Sequence, residues 1–355
     1  MVARAEREIV QRQLEELHST VGRPGGAPDG RVVAYYPPSM AAHANLFGLA
    51  ATNVDGTQWE VGDADVRFPL HSISKVFTYG LALEDNGRDE VLARIGVEPS
   101  GDPFNSIRFD EVNNRPFNAL VNAGALVASN LVQGATKEEK VERLLVRLRI
   151  YTGNPDLAVD EDILAEQLTV NDRNLALSYL MRSLGMLHGP IEDNLYVYLA
   201  ACSVTVTAPE LSVMAATLAH GGANPFTGVP ALPRTYTRDV LSVMSMCGMY
   251  DAAGQWAYDV GIPAKSSVSG GILAVIPDAV GVGVYSPGLD RHGNSVRGVA
   301  VCRALSDRFG LHVFADPSES SLGRIVRPAR HGRPAEVYPD PEVYPSGDGW
   351  LPDNL

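Results

Sequence analysis

Basic residues, cysteines and long apolar runs are all scarce in this chain of 355 residues. Lysine and arginine number 29 against 42 aspartates and glutamates, a formal net charge of −13. Nucleic acids and anionic membranes reward the opposite balance, so neither is an expected partner. No run of about 18 apolar residues occurs, which removes a membrane-spanning helix from the expected elements. The opening stretch, "MVARAEREIVQRQLEELHS", lacks the apolar segment of a secretory signal and reads as a charged amphipathic helix. The three cysteines, Cys202, Cys247 and Cys302, are odd in number, far apart and set among apolar residues. That usage fits buried thiols in a reducing cytoplasm and excludes a disulfide framework. The histidines are scattered, with no H-x-H or H-E-x-x-H pair, so neither a metal site nor a cofactor is expected. "GVGVYSPG" is glycine-rich, but no helix fingerprint follows it, and it is not read as a nucleotide loop.

What is present is the composition of a globular protein, 45% hydrophobic and 20% charged, long enough for one large domain or two closely joined ones. Short β-rich runs stand near both ends. "RVVAYY", "ANLFGLAAT" and "TQWEVG" come first, the last two joined by the turn Asn53-Val54-Asp55-Gly56. "GGILAVIP" and "GVGVYSP", separated at Pro277-Asp278, and a short "LHVFA" come later. Between them the pattern is helical. A helix after Pro69 ends near Asn86-Gly87, capping boxes stand at Thr136…Glu139 and Thr207…Glu210, and a last helix covers 296–309. The reading is α+β: an antiparallel sheet flanked by helices, with a helical domain inserted. Its expected parts are an N-terminal helix (1–28), a discontinuous sheet domain (29–98 and 236–316), a helical domain (99–235) and an irregular Pro-rich tail (317–355).

Chemistry first suggests itself in "RFPLHSISKVFTYG", where Ser72 and Lys75 are three residues apart in an apolar run. On a helix, such a pair shares a face. A serine hydroxyl needs a base to become a nucleophile. Lysine serves only if burial brings its pKa down from about 10.4. The same four residues also fit a capping serine and a lysine with an extended stem. A second stretch, "IPAKSSVSGG", places Lys265-Ser266-Ser267 before a strand. It is close to the K-[ST]-G triad that accompanies S-x-x-K in serine acyl-transfer enzymes. It also fits a lysine on a solvated strand edge.

With these stand "VNAGALVASNL", "NDRNLAL", "CSVTVTAPELSVMAATLAHGGANPFTG", "MCGMYDAAGQWAYDVGIPAKSSVSGG" and "DRHGNSVRGVAVC". In this order, over about 30–312, the blocks resemble the serine-dependent glutaminases, of the β-lactamase/transpeptidase-like fold. The resemblance implies Ser72 as nucleophile, Lys75 as its base, Tyr35 beside them, and Tyr250 as a residue that passes protons. It implies substrate contacts from Asn122, Asn174 and Tyr198, and an oxyanion hole from the N–H groups of Ser72 and Val268. It implies a dimer or tetramer. Three positions depart from the family pattern. His71 stands where a glutamine is usual, Ser267 where a glycine is usual, and Gln167 where a glutamate is expected to meet the substrate's α-ammonium, with Glu166 beside it as a substitute.

The function so implied is hydrolysis of L-glutamine to L-glutamate and ammonia through an acyl-serine. One alternative is a related amidase or acyl transferase on a glutamine-like compound; another is a ligand-binding homologue without turnover. The expected partner is a small amino-acid amide.

Overall fold

The computed structural model describes residues 2–28, 30–31, 45–102, 106–316, 320 and 322–326. Helix α1 (Val2–Gly22) leads to the hairpin β1 (Gly48–Asn53) and β2 (Gln58–Gly62), then β3 (Phe68–Pro69), a 3₁₀ turn (His71–Ile73) and α2 (Ser74–Asn86). Six helices follow: α3 (Arg88–Arg94), α4 (Asn122–Leu131), α5 (Lys137–Thr152), α6 (Glu161–Thr169), α7 (Asp172–Ser183) and α8 (Ile191–Cys202). Next are β4 (Thr205–Val206), α9 (Ala208–Ala219), α10 (Arg234–Cys247), a 3₁₀ turn (Tyr250–Ala252) and α11 (Ala253–Asp259). The chain continues with β5 (Ala264–Ser266), β6 (Gly271–Ile276), β7 (Val280–Tyr285), α12 (Val296–Phe309) and α13 (Gly323–Val326).

One antiparallel sheet, in the order β2-β1-β7-β6-β5, organises these elements. Strands β1, β6 and β7 are buried at every position, so they show no in–out alternation. Helices cover both faces. On one, Val10, Leu14, Leu17 and Val21 of α1 join Val301, Cys302, Leu305 and Phe309 of α12. That spacing is the stripe of a helix lying on a sheet. On the other face lies α9, seated on glycines. A Cβ at Gly281 would lie 2.0 Å from the Ala216 nitrogen and 2.4 Å from the Ser212 carbonyl oxygen. The seat is latched by hydroxyls, Thr52 Oγ1 and Ser212 Oγ being 2.6 Å apart.

The second core holds α2, buried from Ser74 through Leu83, with α4, α8 and α10 packed around it. Ion pairs from α5, Arg143 to Asp85 and Arg147 to Glu84, hold the polar end of α2. Among the described residues no helix is long and apolar enough to cross a membrane.

Several expectations meet the structure directly. The Asn53–Gly56 turn, the stop at Gly87 and the helix at 296–309 are all present. The Thr207–Glu210 box forms in full. At Thr136 only half forms: the threonine accepts from Glu139 N–H, but the glutamate's return bond goes to Ala135 N–H. The strand expected in "LHVFA" is absent. After α12 the chain turns at Gly310 in the left-handed region, and Leu311 N–H bonds back to Ser306. Among the described residues no strand lies beside Val313 and Phe314, which are left 64% and 89% exposed. Strand propensity expresses itself only where a pleated neighbour exists. "RVVAYY" lies, except for Arg31, outside the described residues, as does most of the tail.

The seating of α9 makes a prediction. Gly281→Val should lower the free energy of unfolding by about 3 kcal/mol or more, because backbone, not flexible side chain, blocks the new atoms. A denaturant titration measures it, and an unchanged midpoint contradicts the packing described.

Candidate active site

Two strands of two residues each bring distant parts of the chain together. Phe68 pairs with Val206 and Pro69 with Thr205. Leu70 N–H then donates to the Val204 carbonyl at 2.9 Å. This lays the C-terminal end of α8 against the turn that carries Ser72, with Ser74 Oγ 3.7 Å from Cys202 Sγ. From the sheet side, Ser267 Oγ donates to the Leu70 carbonyl at 3.0 Å, and Ser269 Oγ supports it at 2.8 Å. One backbone position thus ties together the turn that carries Ser72, α8 and the β5–β6 connection.

Ser72 is 7% exposed and Lys75 only 1%. The Lys75 ammonium donates to Asn122 Oδ1 at 2.6 Å and to the Leu120 carbonyl at 3.4 Å. Asn118 shapes this receiver, its Oδ1 accepting the N–H groups of Leu120 and Val121. Gly124 lets the loop close, since a Cβ there would lie 1.9 Å from the Asn118 carbonyl oxygen. Asn122 Nδ2 continues the chain to Asn174 Oδ1 at 3.2 Å. Burial pushes the Lys75 pKa down to about 8, with the nearby Cys202 acting in the opposite sense. Among the described residues no hydrogen bond joins Lys75 directly to Ser72. The i, i+3 spacing puts them on one face, but the amine turns toward α4.

The group on Ser72 is Tyr250. Its hydroxyl donates to the Ser266 carbonyl at 3.0 Å. Burial raises its pKa, and hydrogen bonds with Ser72 and with the Val268 N–H work against that rise. Beneath the ring lies a second lysine. Lys265 Nζ is 4.1 Å from the ring centroid, bonds to the Ser266 carbonyl, and is fully buried. Burial first, and the charge of Lys75 second, push its pKa well below the ordinary lysine value. The solvated-edge reading of Lys265 is therefore wrong: β5 is at the sheet edge, but α10 and the Tyr250 turn cover it. Two residues of this cluster are strained, His71 at φ +43° and Tyr250 at φ +57°. Such conformations cost about 1–3 kcal/mol each for residues with side chains.

The remaining expected residues fall at different distances from this centre. Tyr198 is buried, and its hydroxyl bonds to the Cys202 thiol. Burial, then the charge of Lys75, pushes the His71 pKa down to about 4, so its imidazole is neutral at ordinary pH. Gln167 Nε2 donates to Ser203 Oγ at 2.7 Å, and Ser203 spends its own proton on the Leu199 carbonyl at 2.8 Å. That pair of bonds fixes the amide, with Oε1 turned away from Ser203. Glu166, about 100° further round α6, makes no described contact with the cluster. Tyr35 lies outside the described residues. No group of His, Cys, Asp or Glu able to hold a metal occurs among the described residues. The roles of Cys202, Ser203 and Leu70 were not visible in the sequence, because only the β3–β4 pairing places them here.

A sequence model of the family named Glutaminase matches residues 30–314. The chain belongs to the glutaminase family. A curated relative from Trichormus variabilis, named Glutaminase, is 48% identical over 301 residues, covering 85% of this chain and 89% of its own. Among solved structures, a crystal structure of Mglu superposes with a TM-score of 0.80 at 42% identity, covering 86% of this chain and 76% of that one. One described as the probable glutaminase ybaS gives 0.81 at 35% identity, covering 87% and 98%. The fold of this glutaminase-family chain is accordingly the mixed helix-and-sheet fold of those structures.

The buried ammonium generates a pH-dependent prediction. The Lys75 pKa is about 8 when folded against the ordinary lysine value of 10.5. Between those values the unfolded chain holds the extra proton, so this group's contribution to stability rises with pH. Unfolding free energies of wild type and Lys75→Met, measured from pH 7 to 10.5, should converge or cross in favour of wild type as pH climbs. Asn122→Leu, which strands the ammonium, should cost about 2–3 kcal/mol near pH 7. Parallel curves, or a neutral Asn122→Leu, contradict the electrostatics given.

Proposed function

We propose that the chain hydrolyses L-glutamine to L-glutamate and ammonia through an acyl-enzyme on Ser72. The observation that carries this is the seat of the Tyr250 hydroxyl between Ser72, the Val268 N–H and the Ser266 carbonyl, flanked by two buried lysines of lowered pKa. Ser72 Oγ attacks the side-chain amide carbon, and its proton passes to the Lys75 amine, which substrate contact with Asn122 releases toward it. Apo hydrogen bonds of this kind commonly rearrange in the substrate complex. The negative charge on the carbonyl oxygen faces the N–H groups of Ser72 and Val268. The C–N bond then breaks as Tyr250 supplies a proton to the leaving nitrogen, recovering its own from Lys75. Water next attacks the ester, gives up its proton to the same pair, and frees glutamate and Ser72. Asn122, Asn174 and Tyr198 receive the amino-acid end. His71, half-buried and neutral beside Ser72, adds no charge to the site.

The uncharged Gln167 favours a second reading. Its free acceptor can meet an ammonium, but a charge-assisted bond is roughly twice as strong as a neutral one. In that reading the acyl-serine is retained and the substrate is a glutamine-like amide without a free α-ammonium. The assembly belongs to the first reading as a homodimer or homotetramer, acting in the cytoplasm, and light scattering of the purified chain checks the assembly.

Ammonia release from L-glutamine tests the primary reading. Ser72→Ala should lower kcat by about 10⁴-fold or more, as loss of a nucleophile does elsewhere. The log of kcat should rise with pH and level off near the Lys75 pKa, about 8, since only the neutral amine accepts the serine proton. An active Ser72→Ala removes the mechanism. Gln167→Glu separates the two readings: a lower KM for glutamine with kcat unchanged fits the second, and no change excludes it.

A further inference from the structure

Tyr250 stands in the left-handed region, at φ +57°, where a bulky aromatic does not rest by itself. The connection between β7 and α12 holds it from both sides. Asn294 Nδ2 donates to the carbonyl of Met249, the residue before, over a long 3.4 Å. His292 Nδ1 meets the carboxylate of Asp251, the residue after, at 2.8 Å. The histidine's proton is placed by a third partner. Arg291 Nε donates to His292 Nε2 at 3.0 Å, so that nitrogen carries the lone pair and Nδ1 donates to Asp251. The imidazole thus bridges a guanidinium and a carboxylate.

The holding loop is itself well fixed. Asp290 Oδ1 accepts the N–H groups of His292 and Asn294 at 2.8 and 2.9 Å. Asp290 N–H closes the turn on the Asn294 carbonyl at 2.8 Å. Ser295 Oγ, one residue on, donates to the Ser286 carbonyl at 2.7 Å. Asn294 is 1% exposed, while the His292 and Asp251 side chains are about a quarter exposed.

We propose that residues 290–294 form a clamp on Tyr250, with His292 and Asn294 as positioning residues that keep its hydroxyl against Ser72 and Val268. The proposal rests on the reading of Tyr250 as the proton-passing group. Neither residue bonds to the reacting cluster; Asn294 acts through the Met249 backbone and His292 through the Asp251 side chain. Without them the segment 249–251 relaxes toward the right-handed region, and the ring swings off Lys265 and away from Ser72. A displacement of about 1 Å in such a group costs about 10²-fold in rate. The effect is expected in kcat, because the substrate's amino-acid end is held by α4, α7 and α8.

The test uses the full chain and ammonia release from L-glutamine. His292→Leu and Asp251→Ala should each lose about ten-fold or more in kcat, with KM within about two-fold of wild type. Their melting midpoints should stay near wild type, since both side chains lie at the surface. His292→Asn should recover most of kcat, because its amide nitrogen can stand where Nδ1 stands. Wild-type kcat in His292→Leu, a loss confined to KM, or an Asn variant as poor as the Leu variant overturns the clamp. Tyr250→Phe run alongside separates the two readings. If it loses kcat while His292→Leu does not, the clamp alone fails. If it keeps wild-type kcat, the role given to Tyr250 fails, and the clamp with it.

Discussion

A lysine ammonium held in an almost dry interior is the constraint around which this molecule is arranged. Lys75 gives up nearly all of its hydration, and what it receives in return is one amide oxygen and one carbonyl. The exchange is incomplete, and the shortfall shows as an amine that releases its proton near pH 8. The polar geometry nearby follows from supplying those two oxygens: Asn118 bends the loop, Gly124 lets it close, and Asn122 is itself oriented by Asn174. Lys265, a second cation buried close enough to feel the first, adds to the imbalance instead of relieving it. Two buried lysines of lowered pKa in one core work against stability, and groups perturbed in this way cluster at functional sites.

The cost is carried by large apolar cores on both sides of the sheet. One buries α2 over its first ten or so residues; the other seals the opposite face with α1 and α12. Between them the backbone is forced at His71 and Tyr250. Each strained residue adjoins a fastening made by something distant in the chain: Leu70 is bonded to Val204 and Ser267, and Met249 and Asp251 to the 290–294 loop. Strain persists only where the surroundings over-determine it. The same fastenings bring Ser72, the Val268 N–H and the Tyr250 hydroxyl to one point.

Much of the fold was legible in the residues. The hairpin turn at Asn53–Gly56, the stop at Gly87, the box at Thr207 and the limits of the helix at 296–309 were all readable, because each depends on neighbours within a few positions. "LHVFA" was misread for the converse reason: its β-branched and aromatic residues favour a strand, but a strand needs a partner, and none is offered there. The site was legible in its parts and not in its wiring. Ser72, Lys75 and Tyr250 were expected near one another and do lie in one cluster, but the fold sends the amine to Asn122 and the tyrosine to the serine. The reading of Lys265 as a solvated edge residue failed because an edge strand says nothing about what packs over it.

Local grammar lies within the residues: where helices begin and end, and which stretches pair as a hairpin. Those properties come from side chains acting on their own backbone within one or two turns. Which groups become neighbours, and in what charge state, is settled by the folded whole. Burial of Lys75 and Lys265, the orientation of the Gln167 amide and the seat of the Tyr250 hydroxyl each require segments well separated along the chain to close on one another. Solvation and hydrogen bonding depend on that closure, so no stretch of residues taken singly contains them.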